Sequence, residues 1–282
     1  MVKRILVTGG NAGIGLALCR QLVAEHGAYV YLGSRSEERG RKGLNSILEK
    51  HPEAKDRLEL VIIDVSNDAS VSAAADKLKK KDVELYALVN NAGIGFKTGA
   101  DADAILNTNF YGPKRVSDAF LPLIASEGGR IVNVSSGAAP GWLKNQNEAT
   151  KKLFTSAETT WEALDAAVQS IKGDGESSGF YPYGLSKASL TAYTILQSVA
   201  HPNLTCTSLS PGFIMTAMTE GFGARLTPEQ GTVSLMRCLF GEVVSGYYYG
   251  SDGLRSPLTV SRDPGTPEYE GESNPDPARY NK

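Results

Sequence analysis

Seven short runs rich in branched apolar residues alternate along the chain with amphipathic stretches, and no other feature narrows the fold as far. The runs are Arg4–Val7, Tyr29–Leu32, Leu58–Ile63, Ala87–Val89, Arg130–Val134, Thr205–Leu209 and Gly246–Tyr249. Between them, helical periodicity marks Ile14–Glu25, Arg39–Glu49, Ser70–Lys80, Pro113–Ser126, Tyr183–Val199 and Pro228–Leu239. Strands that are apolar on both faces need cover on both faces, which a parallel sheet with crossover helices provides. Right-handed crossovers then leave the doubly wound α/β sheet as the leading topology.

Two stretches break the alternation. Residues 139–181 form a polar insertion in which Thr159 and Glu162 have the spacing of a helix-capping box. Trp161, Leu164, Val168 and Ile171 follow on one helical face. Residues 262–282 carry Pro264, Pro267, Pro275 and Pro277 among acidic and small residues, the composition of an extended tail. The expected organisation is one catalytic domain over residues 1–261, with its insertion, followed by that tail.

Composition excludes several classes of function. With 29 Lys+Arg against 31 Asp+Glu the net charge is −2, which offers no footprint for nucleic acid or an anionic membrane. Cys19, Cys206 and Cys238 are scattered, and His26, His51 and His201 lie at no ligand spacing, so neither a disulfide framework nor a metal site is expected. Met1-Val2-Lys3-Arg4 runs straight into a strand without a signal-peptide core, and no apolar run is long enough to span a membrane. A cytoplasmic protein with a small-molecule partner is the resulting expectation.

The first strand ends in Thr8-Gly9-Gly10-Asn11-Ala12-Gly13-Ile14-Gly15, and a helix opens at once. Glycines allow the tight turn there and let backbone N–H groups approach a pyrophosphate on the positive helix terminus. The second strand ends in Leu32-Gly33-Ser34-Arg35. An acidic residue at this point would accept bonds from the ribose 2′-hydroxyl of NAD; a planar guanidinium suits the 2′-phosphate of NADP instead. Glu37 and Glu38 weigh the other way, although acids are ordinary in the first turn of a helix.

Tyr183-Gly184-Leu185-Ser186-Lys187 sets a phenol and an ammonium one helical turn apart. A free phenol, with a pKa near 10, is a poor acid–base catalyst at neutral pH. Lowering it by roughly three units takes about 4 kcal/mol, which a nearby cation can share in supplying. Asn90-Asn91-Ala92-Gly93, Asn109, Ser135-Ser136 and Ser210-Pro211-Gly212-Phe213-Ile214-Met215-Thr216 all fall at or near strand carboxyl ends, where such sheets bind their ligands.

In this combination and order, over residues 3–255, the chain resembles the short-chain dehydrogenase/reductase superfamily, whose fold is the Rossmann sheet. The resemblance implies a catalytic tetrad of Asn109, Ser136, Tyr183 and Lys187. Ser135 is the alternative to Ser136, with a structural role. The resemblance also implies that NADP(H) is held by Gly9, Asn11, Gly13, Ile14, Gly15, Ser34, Arg35, Asp64, Val65, Asn91, Ala92, Gly93, Tyr183, Lys187, Pro211, Gly212, Ile214 and Thr216. In the implied mechanism Tyr183 protonates the oxygen of a carbonyl as hydride arrives. Ser136 orients that oxygen, Lys187 acidifies the tyrosine, and Asn109 holds a water that links Lys187 to solvent.

The long separation of Ser136 from Tyr183 resembles the monomeric carbonyl reductases, in which a helical insertion covers the face other members use to dimerise. A monomer is therefore expected. Ala12 departs from those reductases, which carry a basic residue there, so the NADP preference rests on Arg35. The expected activity is NADPH-dependent reduction of a ketone, aldehyde or quinone. The alternatives are a dehydrogenase of a secondary alcohol, such as a retinol or steroid, and a non-catalytic NADP sensor. The substrate pocket is expected between Pro140–Trp142, Met215–Gly223 and Tyr247–Tyr249, with Trp142 equally suited to packing.

Overall fold

Each branched apolar run becomes a strand, and all seven pair in parallel in the order β3-β2-β1-β4-β5-β6-β7. They are β1 Arg4–Val7, β2 Tyr29–Ser34, β3 Leu58–Ile62, β4 Ala87–Asn90, β5 Arg130–Val134, β6 Thr205–Leu209 and β7 Tyr248–Tyr249. This computed structural model describes residues 2–95, 99–174 and 180–282. Residues 175–179, at the end of the predicted insertion, lie outside the described part.

Pleating sends alternate residues of a strand to opposite faces, and both faces are buried. Ile5 and Val7 of β1 pack on one side with Leu18 and Leu22 of α1 (Gly13–Ala24), Ile47 of α2 (Glu37–Leu48) and Leu235 of α10 (Val233–Phe240). Leu6 points the other way, into a second cluster with Val71 and Leu78 of α3 (Asp68–Lys79) and Val116 and Phe120 of α5 (Gly112–Phe120). Truncating any of these buried leucines to alanine costs about 2–5 kcal/mol. The chain builds β1, β2 and β3 outward and then crosses back to lay β4 on the free side of β1. The crevice between the carboxyl ends of β1 and β4 is therefore the topological switch point.

Local sequence sets where the helices begin and end. Ser36 caps α2, its hydroxyl accepting the Arg39 N–H at 3.3 Å, so this helix starts two residues before the predicted Arg39. The helix predicted over Pro113–Ser126 ends at Phe120, and the Leu121–Leu123 turn that follows it tightens to 3-10 geometry around Pro122. Before α5, the short α4 (Ala102–Leu106) passes into a π turn at Asn107–Tyr111.

The insertion contains α6 (Ala138–Leu143), α7 (Glu148–Thr155) and α8 (Trp161–Asp174), all packed on α9 (Phe180–Ala200). Leu164 and Val168 are fully buried, and Trp161 and Ile171 pack beside them. The cap of α8 is Thr160, which accepts the Ala163 N–H at 3.2 Å; Thr159 instead donates to the Leu153 carbonyl. The tail is largely irregular, as its prolines suggest, but it is not free. Arg262 is 1% exposed and grips Asp252 through two bonds of 2.8 Å, and Tyr280 in the terminal turn α11 (Pro277–Tyr280) is fully buried.

Candidate active site

Two helix starts near the switch point differ in what they can accept. The first turn of α2 holds Glu37 and Glu38, and Ser36 caps it. The first turn of α1 has no acidic residue, and its cap residue Ala12 makes no side-chain bond to the helix. Its N–H groups and positive end remain open to an anion. Gly9 and Gly13 take φ values of 65° and 54°, a region that side chains disfavour. A Cβ on Gly15 would come within 2.4 Å of the Gly9 carbonyl oxygen and 2.5 Å of Asn91 Nδ2. These glycines form a cradle in which only backbone can approach, and the cradle suits the pyrophosphate of a dinucleotide.

Thr8 and Asn91 stitch the cradle to β4. Asn91 Nδ2 donates to the Thr8 carbonyl at 2.8 Å, while the Thr8 hydroxyl accepts the N–H groups of Asn91 and Ala92 at 3.0 and 3.1 Å. The role of Thr8 was not assigned from sequence, although a hydroxyl at the last position before a glycine turn is a usable signal. The loop after β6 closes over the same place. A Cβ on Gly13 would lie 3.2 Å from Thr216 Cγ2, and a Cβ on Gly231 would meet both Ile14 and Ile214. Gly212 adopts φ 93° directly after the buried Pro211.

At the far end of the cleft, Arg35 is exposed where β2 ends. Ser34 is buried, and its hydroxyl is engaged with Ser36, so it shapes the turn rather than facing the cleft. Glu37 is paired with Arg41 at 2.6 Å. Asn11 backs against α2, its carbonyl oxygen lying 2.9 Å from where a Cβ on Gly43 would stand. Asp64 accepts from the Ser66 N–H at 3.0 Å and the Ser66 hydroxyl at 2.6 Å, and Val65 is buried next to it.

The chemical residues converge beyond β5. Ser136 is close enough to Tyr183 for its side chain to act on the phenol. Ser135 takes the structural part: its hydroxyl donates to the Lys187 carbonyl at 3.0 Å and bonds Thr191 at 2.9 Å, deep in the protein. Lys187 donates to the Val134 carbonyl oxygen at 2.8 Å, and its Nζ lies 5.7 Å from the Tyr183 ring centre. The Asn109 side chain clamps the Ile94 backbone, accepting its N–H and donating to its carbonyl, both at 2.9 Å, and also donates to Ser186 at 3.2 Å. A Cβ on Gly93 would stand 3.2 Å from Asn109 Oδ1 and 3.6 Å from Lys187 Nζ, so the loop after β4 meets these two side chains there.

Electrostatics at this site differ from the sequence expectation. Burial pushes the Tyr183 phenol above its ordinary value, and the Ser136 side chain is what opposes it. Burial also lowers the Lys187 ammonium to about 8. Lys187 thus remains mostly protonated at neutral pH but gives up its proton far more readily than a free lysine.

Around the tetrad, Trp142 packs rather than lines an opening: it is 6% exposed, lies 5.4 Å from Phe154 and 5.9 Å from Tyr181 between ring centres, and abuts Gly184. Phe213, Met215 and Phe222 of the loop after β6 are exposed apolar side chains. No helix among the described residues is long and apolar enough to cross a membrane.

Comparison with known proteins agrees with this architecture. The family model described as short chain dehydrogenase matches residues 3–157. The chain is 35% identical to (+)-neomenthol dehydrogenase of Arabidopsis thaliana, over 82% of this chain and 89% of that protein. It is 32% identical to carbonyl reductase [NADPH] 1 of Mus musculus, over 80% and 86% respectively. Among solved structures, salutaridine reductase from Papaver somniferum superposes with a TM-score of 0.76 at 26% identity, covering 88% of this chain and 99% of that one. The chain belongs to the short-chain dehydrogenase/reductase family, as an oxidoreductase of carbonyl and alcohol groups that uses a nicotinamide cofactor and resembles the carbonyl reductases.

Proposed function

We propose that the protein is an NADPH-dependent reductase of apolar ketones, aldehydes or quinones, with Tyr183 as the general acid. The observation that carries the proposal is the convergence of Ser136, Tyr183 and Lys187 beyond β5 together with a glycine cradle after β1. When bound, NADPH supplies the hydride. Gly9, Gly13 and Gly15 with the open start of α1 hold its pyrophosphate, and Arg35 pairs with its 2′-phosphate. Asp64 and Val65 flank the adenine side, while Gly93, Pro211, Gly212 and Thr216 border the nicotinamide side.

The Ser136 and Tyr183 hydroxyls both donate to the substrate carbonyl oxygen and stabilise the charge that develops on it. Tyr183 transfers its proton to that oxygen, giving the alcohol. A phenol held high by burial keeps its proton, and it is still a far stronger acid than the alcohol formed from the developing alkoxide, so the transfer runs toward the substrate oxygen. Lys187 restores the proton balance of the site. Because the Asn109 side chain is occupied by Ile94, a water linking Lys187 to solvent would rest on the main-chain carbonyl of the π turn. The exposed apolar side chains of Phe213, Met215 and Phe222 favour substrates with hydrocarbon bulk around the carbonyl.

The reverse reaction, oxidation of a secondary alcohol, uses the same groups, and the dehydrogenase name of the Arabidopsis relative favours it as a second reading. Because α6, α7 and α8 cover α9, we also propose a monomer, to be checked by light scattering. The deciding experiment follows NADPH and NADH oxidation with a panel of cyclic ketones, aldehydes and quinones. Turnover favouring NADPH and apolar carbonyls is the expected result. NADPH binding without turnover of any carbonyl or alcohol would make the protein a sensor instead.

A further inference from the structure

We infer that Tyr248 is a positioning residue for the reaction, acting through the peptide bond between Ser136 and Gly137. The Tyr248 hydroxyl is buried and donates to the Ser136 carbonyl oxygen at 3.1 Å. On the same peptide unit, the Gly137 N–H donates to Ser210 Oγ at 3.0 Å. Ser210 and Tyr248 thus hold the N–H and the carbonyl of one peptide unit. Ser210 also accepts the Gly212 N–H at 3.3 Å, so the same hydroxyl reaches the loop that borders the nicotinamide side.

Ser210 accepts two N–H groups, and the Tyr248 hydroxyl donates to Ser136. A buried phenol needs a partner to avoid a desolvation penalty, and this one finds it on a loop that carries the site. The Ser136 carbonyl also accepts the Ala139 N–H at 3.0 Å, so α6 supplies one anchor and Tyr248 the other. Fixing the peptide plane fixes the direction of the Ser136 Cα–Cβ bond, and with it the hydroxyl that meets Tyr183. The strand β7 is only two residues long, and Tyr248 sits beside Ser208 of β6 in the register that carries its hydroxyl toward the loops.

The kinetic arm of the test rests on the proposed reductase activity; a second arm does not. Tyr248→Phe keeps the aromatic ring and removes the hydroxyl that holds the Ser136 carbonyl. One net hydrogen bond of about 1 kcal/mol, lost from the orientation of the catalytic serine, corresponds to roughly a fivefold fall in kcat, with little change in the KM for NADPH. In a Ser136→Ala background the same substitution changes kcat by less than about twofold, because the group being oriented is gone. An equal fall in both backgrounds overturns the inference. Independently of turnover, amide hydrogen exchange at Gly137–Ala139 accelerates in Tyr248→Phe while the β5 amides keep wild-type protection. Unchanged exchange at Gly137–Ala139 overturns it as well. If the wild-type protein oxidises no NADPH with any carbonyl, the proposed activity fails, and exchange alone decides the role of Tyr248.

Discussion

Lys187 donates to the Val134 carbonyl oxygen at 2.8 Å from a site that is 5% exposed, and that burial brings its ammonium down to about 8. In the unfolded chain the same group titrates near 10.4. Between these values the unfolded state binds more protons, so stability rises with pH there; below about 8 both states are protonated and the cost of the buried charge is constant. The difference in unfolding free energy between wild type and Lys187→Met should therefore rise by about 3 kcal/mol from pH 7 to pH 10.5. Denaturant titrations at several pH values measure it, and a flat difference would mean that the ammonium is not desolvated.

Adjacent serines with different surroundings lead to opposite mutant phenotypes. The Ser136 side chain acts on the Tyr183 phenol, whereas Ser135 bonds the Lys187 carbonyl and Thr191 inside the protein. Ser136→Ala should lower kcat about a hundredfold with melting little changed, in line with loss of one oxyanion donor. Ser135→Ala should instead cost about 1–2 kcal/mol of stability and retain most of the turnover. Steady-state kinetics beside thermal melts separates the two, and a reversed pattern would exchange their roles.

Cofactor choice turns on Arg35. It is exposed at the end of β2, while the nearby Glu37 is engaged by Arg41. Arg35→Ala should raise the KM for NADPH by about tenfold, the loss of one charge-assisted contact, and leave the KM for NADH within twofold. Equal effects on the two cofactors would show that the guanidinium does not recognise the 2′-phosphate.

The tail gives a prediction about stability alone. Asp252→Ala leaves the Arg262 guanidinium, 1% exposed, without its carboxylate and should destabilise the protein by about 3 kcal/mol. Arg262 holds Asp252 below its ordinary carboxylate range, so this contribution is present at neutral pH and is lost as pH falls through that lowered value. Denaturant midpoints of the variant and wild type at pH 7 test it, and equal midpoints would mean that the tail adds nothing.

Much of this architecture is visible in the sequence because its causes are local. Strands such as β1, with Ile5 and Val7 on one side and Leu6 on the other, are apolar on both faces, and the glycine turn at Gly9–Gly15 admits few conformations, so periodicity and spacing suffice. The features missed are those made by partners distant in the chain. Nothing near Lys187 in sequence marks the Val134 carbonyl as its acceptor, and nothing near Tyr248 marks Ser136. The tail has disordered composition, yet one buried ion pair and the Tyr280 ring fasten it. The strong desolvation of Tyr183 and Lys187 was not legible for a physical reason: helical spacing fixes the separation of two groups but not their burial, which is the largest cause of the shift at both.

The proton donor is the centre of the account, and Tyr183→Phe removes it while keeping the ring. The measurement is NADPH-dependent reduction of the best carbonyl substrate by this variant, with NADPH affinity from fluorescence titration alongside. Turnover reduced by about a thousandfold or more, with the NADPH Kd within about threefold of wild type, is the predicted result. Turnover within tenfold of wild type would contradict the assignment of the phenol as the acid.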